Sequence, residues 1–498
     1  MSIFLYRKKA QSWWFISEVV SKSVKIWKKV VRSSVKNWQK TGVFYTSLCY
    51  TKCTNGKEAE VVYRKITHFL EEWKKNPRRK PLVVQGARQV GKTYSILEFG
   101  RTHYENVAYF NFERNKKLKE TFDEDISPAY LVPLLSHILG QTIVREKTLI
   151  VFDEVQVCER ALTSLKYFCE EAPEYHIIVA GSLLGVAVNR EEFSFPVGKV
   201  EMKTMYPMDM EEFLIAMDQD ALAQKIRECF VSDSPMPSAL HDSAMQYYRQ
   251  YLVVGGMPEC VMQFAETGDY ILARNIQTTI LTNYLNDMSK YNLSNEIKKT
   301  RLAYNTITVQ LSKKNTRFQY KLIKKGARAA EFENAIEWLN LSGIVSRIYR
   351  VGRPRKPLDD NKDIDAFKIY VSDLGLLCAQ KELVAQDVLY MSDDSPSGGE
   401  IEYFKGGMAE NYVNTHLTIN GYTSYYWESD RGAEVDFIIQ RDGAIIPIEV
   451  KSADNTQAKS LKMYIEAYEP QYAIKISTRN FGSEDNKKTV PLYAVFCI

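Results

Sequence analysis

Gly86-Ala87-Arg88-Gln89-Val90-Gly91-Lys92-Thr93 decides the fold of this 498-residue chain. The stretch has the pattern G-x-x-x-x-G-K-[ST], and its surroundings suit it. Leu82-Val83-Val84 before it is a short apolar run of strand type, and a helical pattern begins at Tyr94. Glycines let backbone N–H groups turn inward around phosphate oxygens, and the following helix adds its positive end. Lys92 then reaches the β- and γ-phosphates, and the Thr93 hydroxyl is a ligand for Mg²⁺. Gly86, Ala87, Arg88, Gln89, Val90, Gly91, Lys92 and Thr93 are thus the expected nucleotide-binding residues.

A second element lies some sixty residues on. Leu149-Ile150-Val151-Phe152 reads as a buried strand ending in Asp153-Glu154. Acids at the carboxyl end of a parallel strand face the crevice where ligands bind. Asp153 is expected in the Mg²⁺ shell, and Glu154 is expected to orient and deprotonate the attacking water. A third strand, His176 to Ala180, ends in Gly181-Ser182, where Ser182 can sense the γ-phosphate. Arg190 and Lys199 are candidates for a charge-stabilising finger. No guanine-reading N-K-x-D motif is present.

Strands alternating with helices of about 10–15 residues run from Val61 to about Ala180 and imply a parallel sheet with helices on both faces. Helical periodicity dominates from Asp209 to Leu341, interrupted by a hinge-like Gly255-Gly256-Met257-Pro258. Lys298 to Arg350 reads as helices ending in a hairpin, as in a winged helix. Its Lys313, Lys314, Arg317, Lys321, Lys324 and Lys325 offer a basic face for DNA phosphates or a solvated helical face. Val351 to Lys362 reads as a polar linker. The expected segments are therefore a basic extension (1–60), a P-loop ATPase domain (61–215), a helical lid (216–297), a winged-helix-like region (298–355) and a last α/β domain (366–498).

Composition narrows the classes. Apolar residues make up 45% and charged residues 26%, ordinary globular values, and the net charge of +5 admits a nucleic-acid partner without requiring one. No run of about 18 apolar residues exists, so an integral membrane span is not expected. The eight cysteines form no C-x-x-C pair, which suits a reducing cytoplasm, and six scattered histidines make a zinc enzyme a poor reading. The first sixty residues are basic, with Trp13, Trp14, Trp27 and Trp38 interleaved. They read as a partly disordered extension, as an upstream start, or as a basic amphipathic helix on a membrane or nucleic acid.

In the last domain, Asp442-Gly443 is a two-residue turn signal between Val435–Arg441 and Ala444–Lys451. With Arg441 facing Ala444, Asp436 falls opposite Glu449, and Lys451 shares the face of Glu449. Like charges in that position repel, so a divalent cation or Lys451 must offset them. Pro447 cannot donate to a ladder, so its strand belongs at an edge or uses a non-bonded position there.

Taken together, these motifs resemble a widespread prokaryotic family of AAA-type ATP-binding proteins whose C-terminal domain is of largely unknown function. The resemblance rests on GARQVGKT (86–93), LIVFDEVQ (149–156), AGSLLG (180–185), FPVGKVEM (195–202), YPMDMEEFL (206–214) and VVGGMPE (253–259). It continues through residues 318–345, FKIYVSDLGLL (367–377), FKGGMAENYV (404–413) and IPIEVKS (446–452). It implies binding of ATP, plausible hydrolysis with Mg²⁺ and a cytoplasmic location; AAA relatives often form rings, which makes an oligomer possible, but no clear second-arginine motif here requires one. The hairpin acids further resemble the D…E-x-K constellation of Holliday-junction-resolvase-type, restriction-endonuclease-like nucleases. That likeness implies a metal site of Asp436, Glu449 and Lys451, with Glu410 as the acid from a preceding helix. The leading function is an ATPase whose nucleotide state controls DNA engagement by the C-terminal half. The alternative is an ATP-dependent switch acting on a protein partner, with the C-terminal acids inactive.

Overall fold

The computed structural model describes residues 62–115, 117–182, 195–291, 294–313, 316–389, 400–452 and 459–498. The extension 1–60, Arg190 and Lys314 lie outside these residues. Residues 63–135 and 143–498 form one compact unit, which leaves out 136–142.

The first layer is a five-stranded parallel sheet. Helix α1 (Ile66–Lys75) buries Ile66, Leu70 and Trp73, one stripe at helical spacing. There follow β1 (Leu82–Gln85), α2 (Lys92–His103), β2 (Asn106–Asn111), α3 (Lys117–Glu124), α4 (Pro128–Leu139), β3 (Thr148–Asp153), α5 (Glu159–Glu171), β4 (His176–Gly181) and β5 (Glu201–Thr204). The strand order is β2-β3-β4-β1-β5. Every residue of β3 and β4 is buried, as expected of parallel strands covered on both faces.

Six helices follow: α6 (Met210–Ala216), α7 (Asp220–Ser232), α8 (Ser238–Val254), α9 (Pro258–Thr267), α10 (Tyr270–Tyr291) and α11 (Ser294–Leu311). Helix α6 starts on a capping box in which Asp209 accepts the Glu212 amide and Glu212 reaches back to the Asp209 amide.

The Gly255-Gly256 segment is packed and hydrogen-bonded to two other segments of the chain. The Gly256 amide donates to buried Asp373 over 2.6 Å, and the Met208 amide donates to the Gly256 carbonyl over 2.6 Å. A Cβ on Gly256 would overlap the Met208 carbonyl, and one on Gly255 the Asp373 carboxylate. The two glycines permit close approach of three chain segments, and that approach fixes them.

The second layer is an eight-stranded sheet that begins earlier than the sequence suggests. Helix α12 (Ala329–Leu341) leads into β6 (Val345–Val351) and β7 (Lys362–Val371). After α13 (Leu374–Gln380), α14 (Ala385–Leu389) and α15 (Glu400–Ile419) come β8 (Tyr425–Glu428), β9 (Glu434–Arg441), β10 (Ala444–Val450), α16 (Lys459–Tyr468), β11 (Ala473–Ser477), β12 (Gly482–Glu484) and β13 (Lys487–Pro491). The order is β12-β13-β11-β10-β9-β8-β6-β7. Val351 to Lys362 is therefore not a linker between domains. It joins two antiparallel strands, and β6 pairs in parallel with β8, so the boundary expected between 355 and 366 falls inside one sheet.

The hairpin register has Ala444 opposite Arg441, as read from the turn. The strand of Pro447 is central, between β9 and β11, so the edge placement is wrong. Counting by twos from the Arg441–Ala444 pair puts Pro447, opposite Ile438, at a non-hydrogen-bonded position of the β9 ladder. Its pairing with β11 begins only at Ile448.

Candidate functional site

Strand β1 delivers the P-loop. Gly86 has φ +143°, and a Cβ there would overlap the Met205 carbonyl oxygen, so only glycine fits. Gly91 is the N-cap of α2 in the left-handed region, and it makes no side-chain cap to the first turn. Uncapped N–H groups at a helix start are what a phosphate needs, so the loop fits a nucleotide.

Lys92 is buried, and its ammonium donates to the carbonyls of Gly86 at 2.8 Å and Ala87 at 2.7 Å. Burial lowers its pKa to about 8, against the pull of Glu154 and Asp153. Thr93 Oγ1 donates to Asp153 Oδ2 over 3.1 Å, so the two expected Mg²⁺ ligands already touch. The Tyr109 hydroxyl donates to the same oxygen over 2.7 Å.

Glu154 stands one residue past β3 with φ +53° and accepts from Gln156 Nε2 over 2.6 Å. Burial pushes its carboxyl above the ordinary value, and the neighbouring Asp153 adds to the rise. Ser182 follows β4, the strand between β1 and β3, and is buried. The sheet thus gathers Lys92, Thr93, Asp153, Glu154 and Ser182 at the carboxyl ends of three adjacent strands. Lys199 stands apart from this group, at the surface, paired with Glu170 at 2.8 Å.

Sequence reading missed the residues that hold the loop from outside. Arg64 donates to the Val90 carbonyl (2.8 Å), the Tyr206 carbonyl (2.8 Å) and the Glu212 carboxylate (3.1 Å). From α10, the Tyr284 hydroxyl donates to the Arg88 carbonyl over 3.1 Å, and Asp287 pairs with the Arg88 guanidinium. Gly343, between α12 and β6, lies against the backbone of Ala87. All are more than twenty residues from the motif, and no local pattern marks them.

The C-terminal acids also converge. Gly407 has no room for a Cβ against the Leu311 carbonyl, so α15 presses on the end of α11. The Asn411 side chain exchanges two hydrogen bonds with the Val371 backbone (2.8 and 2.9 Å), fixing Glu410 beside β7. Glu410 Oε2 accepts from Tyr370 (2.8 Å), Thr316 (3.2 Å) and Lys368 (3.2 Å). Lys368 also pairs with Glu434 at 2.5 Å. Asp436 Oδ2 accepts the Val450 amide at 2.7 Å, and Glu449 Oε1 pairs with Lys451 at 2.6 Å. Glu449 Oε2 is buried with no partner.

Desolvation and the nearby Glu449 and Glu410 hold the Asp436 carboxyl well above its usual range. Burial raises Glu449 against the opposing pull of Lys451. Burial alone would depress Lys368, but Glu410, Tyr370 and Glu434 outweigh it and hold the ammonium well above its usual value.

A divalent ion fits this set poorly. Glu410 Oε2, Asp436 Oδ2 and Glu449 Oε1 are engaged within the protein, and Glu449 Oε2 is buried with no partner. Among the described residues no group of three or more His, Cys, Asp or Glu is placed to hold a metal.

Comparison with known proteins gives a family match for the P-loop region. Residues 78–214 match the AAA domain family. Residues 245–387 and 405–495 match two domains of unknown function, DUF8612 and DUF4143. No curated protein matches. Among solved structures, a Walker-type ATPase of Pyrococcus abyssi is 15% identical, with 64% of this chain and 96% of that chain covered and a TM-score of 0.40. The ORC2 protein of Aeropyrum pernix is 10% identical (66% and 94% covered, TM-score 0.33). The RuvB Holliday-junction branch-migration motor of Thermotoga maritima is 13% identical (60% and 91% covered, TM-score 0.27). Residues 78–214 thus carry an AAA-type P-loop domain. No described helix is long and apolar enough to cross a membrane.

Proposed function

We propose that this chain is a cytoplasmic Mg²⁺-dependent ATPase whose nucleotide state controls how its C-terminal half engages DNA. The P-loop amides of residues 86–93 hold the phosphates, and Lys92 places its charge on the β- and γ-oxygens. Thr93 and Asp153 hold Mg²⁺, which supplies charge neutralisation at the phosphates when bound. Glu154 orients and deprotonates the attacking water, and Ser182 contacts the terminal phosphate.

The observation that carries the reading is the double grip on the P-loop. Arg88 is held by Tyr284 and Asp287 of α10, and Ala87 touches Gly343, which opens the second sheet. A change in the P-loop on nucleotide binding therefore meets the helical region and the C-terminal sheet directly. Exposed Lys321, Lys325 and Arg328, before α12, offer contacts to DNA phosphates. Lys324 is paired with Glu331 and Arg317 donates to the Asp365 carbonyl.

The test is DNA affinity by fluorescence anisotropy with ATP and Glu154→Gln enzyme, against ADP. A several-fold difference supports control by nucleotide; equal affinity sinks it. A switch on a protein partner is the second reading, favoured by the internal neutralisation of the C-terminal acids.

A further inference from the structure

We propose that Lys368 is the resident cation of the C-terminal acid cluster and neutralises acids that the nuclease likeness would assign to a divalent ion, so that the cluster needs no metal. Lys368 lies in β7 between Phe367 and Ile369, with all three buried. A lysine with 0% exposure inside an apolar strand is stable only when fully paired. Its ammonium has three protons, and three partners surround it: Glu410 at 3.2 Å, Glu434 at 2.5 Å and the Tyr426 ring at 5.2 Å.

The charge that the lysines supply points the same way. Glu410, Glu434, Asp436 and Glu449 bring four carboxyl groups into one network, and Lys368 and Lys451 bring two positive charges, as many as one divalent ion. A divalent ion bound to Glu410 would stand within contact range of a buried ammonium, and the two would repel. Mg²⁺ also demands near-octahedral oxygen ligands at about 2.1 Å, whereas Glu410 Oε2, Asp436 Oδ2 and Glu449 Oε1 already serve partners within the protein. Lys368 can neither dissociate nor be chelated, which makes the neutralisation permanent. The inference is independent of the ATPase reading, because Lys92 and Asp153 take no part in it.

The test is Mn²⁺ binding to the full chain without nucleotide, by electron paramagnetic resonance. Asp153→Asn is present throughout to remove the ATP-site metal ligand. The expected result is no site dependent on Glu449 in this parent below about millimolar Mn²⁺. In Lys368→Met, one site at least tenfold tighter than any in the parent should appear, and Glu449→Gln should abolish it. A Glu449-dependent micromolar site in the parent overturns the proposal. A folded Lys368→Met chain that gains no affinity overturns it too. If Lys368→Met does not fold, the parent decides, and Lys368→Met/Glu434→Gln, which restores the charge count, takes its place.

Discussion

Gly343 lies against Ala87: a Cβ on Gly343 would stand 3.2 Å from the Ala87 backbone nitrogen, and Gly343 has φ +72°. One residue of the phosphate-binding loop is thereby in contact with the turn that opens the eight-stranded sheet. Gly343→Ala should strain the turn and push the loop. We expect a stability loss of about 1–2 kcal/mol and a rise of several-fold in KM for ATP. Thermal melting and steady-state kinetics check both, and an unchanged KM would mean that the contact transmits nothing.

The pH profile of kcat/KM follows from two groups. Glu154 must be ionised to act as a base, and its pKa is raised by burial and then by Asp153. Lys92 must be charged to meet phosphate, and its pKa is lowered by burial to about 8. The profile should therefore be a bell, with an acid limb above the ordinary carboxylate range and an alkaline limb near pH 8. Loss of the acid limb in Glu154→Gln, at greatly reduced turnover, is the identifying result.

Asp373 gives a stability test. Burial raises its pKa from 3.8 to about 6, against the backbone amides of Leu376 and Gly256. The folded chain thus keeps a proton between about pH 4 and 6 that the unfolded chain loses. Its contribution is fully present below about pH 4 and is lost as pH rises through 6, by up to about 3 kcal/mol. Relative to Asp373→Asn, the parent should lose melting temperature across that window and hold a constant difference above it.

How much of this was legible in the sequence follows from how local each feature is. The P-loop, the Asp153–Glu154 strand end and the Asp442–Gly443 turn are set by neighbours in the chain, and their place in the fold or their register reads off directly. Arg64, Tyr284, Asp287 and Gly343 reach the site by tertiary packing, which leaves no periodic trace. The Gly255–Gly256 pair looked flexible because glycine serves both freedom and close approach, and only Asp373 and Met208 decide between them. Lys368 did leave a signal: a lysine inside the apolar run Ala366 to Val371. Its partners sit on β8, β9 and α15, so its meaning needed the fold.

Lys321, Lys325 and Arg328 bear on the DNA reading. Replacing any one by Ala should lower affinity for unrelated DNA sequences alike, and reduce the salt slope of log K by about 0.9 for each phosphate that is no longer neutralised. Binding measured across salt concentrations checks this. Unchanged slopes in all three would place the interface elsewhere.

Steady-state ATP hydrolysis with Mg²⁺, with and without linear and branched DNA, tests the central claim most directly. Coupling between the sites is reciprocal in binding, so a nucleotide that alters DNA affinity implies DNA that alters the nucleotide site. Turnover should rise with DNA in the parent and be lost, with or without DNA, in Lys92→Ala and Glu154→Gln. Robust turnover in the parent that no DNA changes would contradict control of DNA engagement by nucleotide and turn attention to a protein partner.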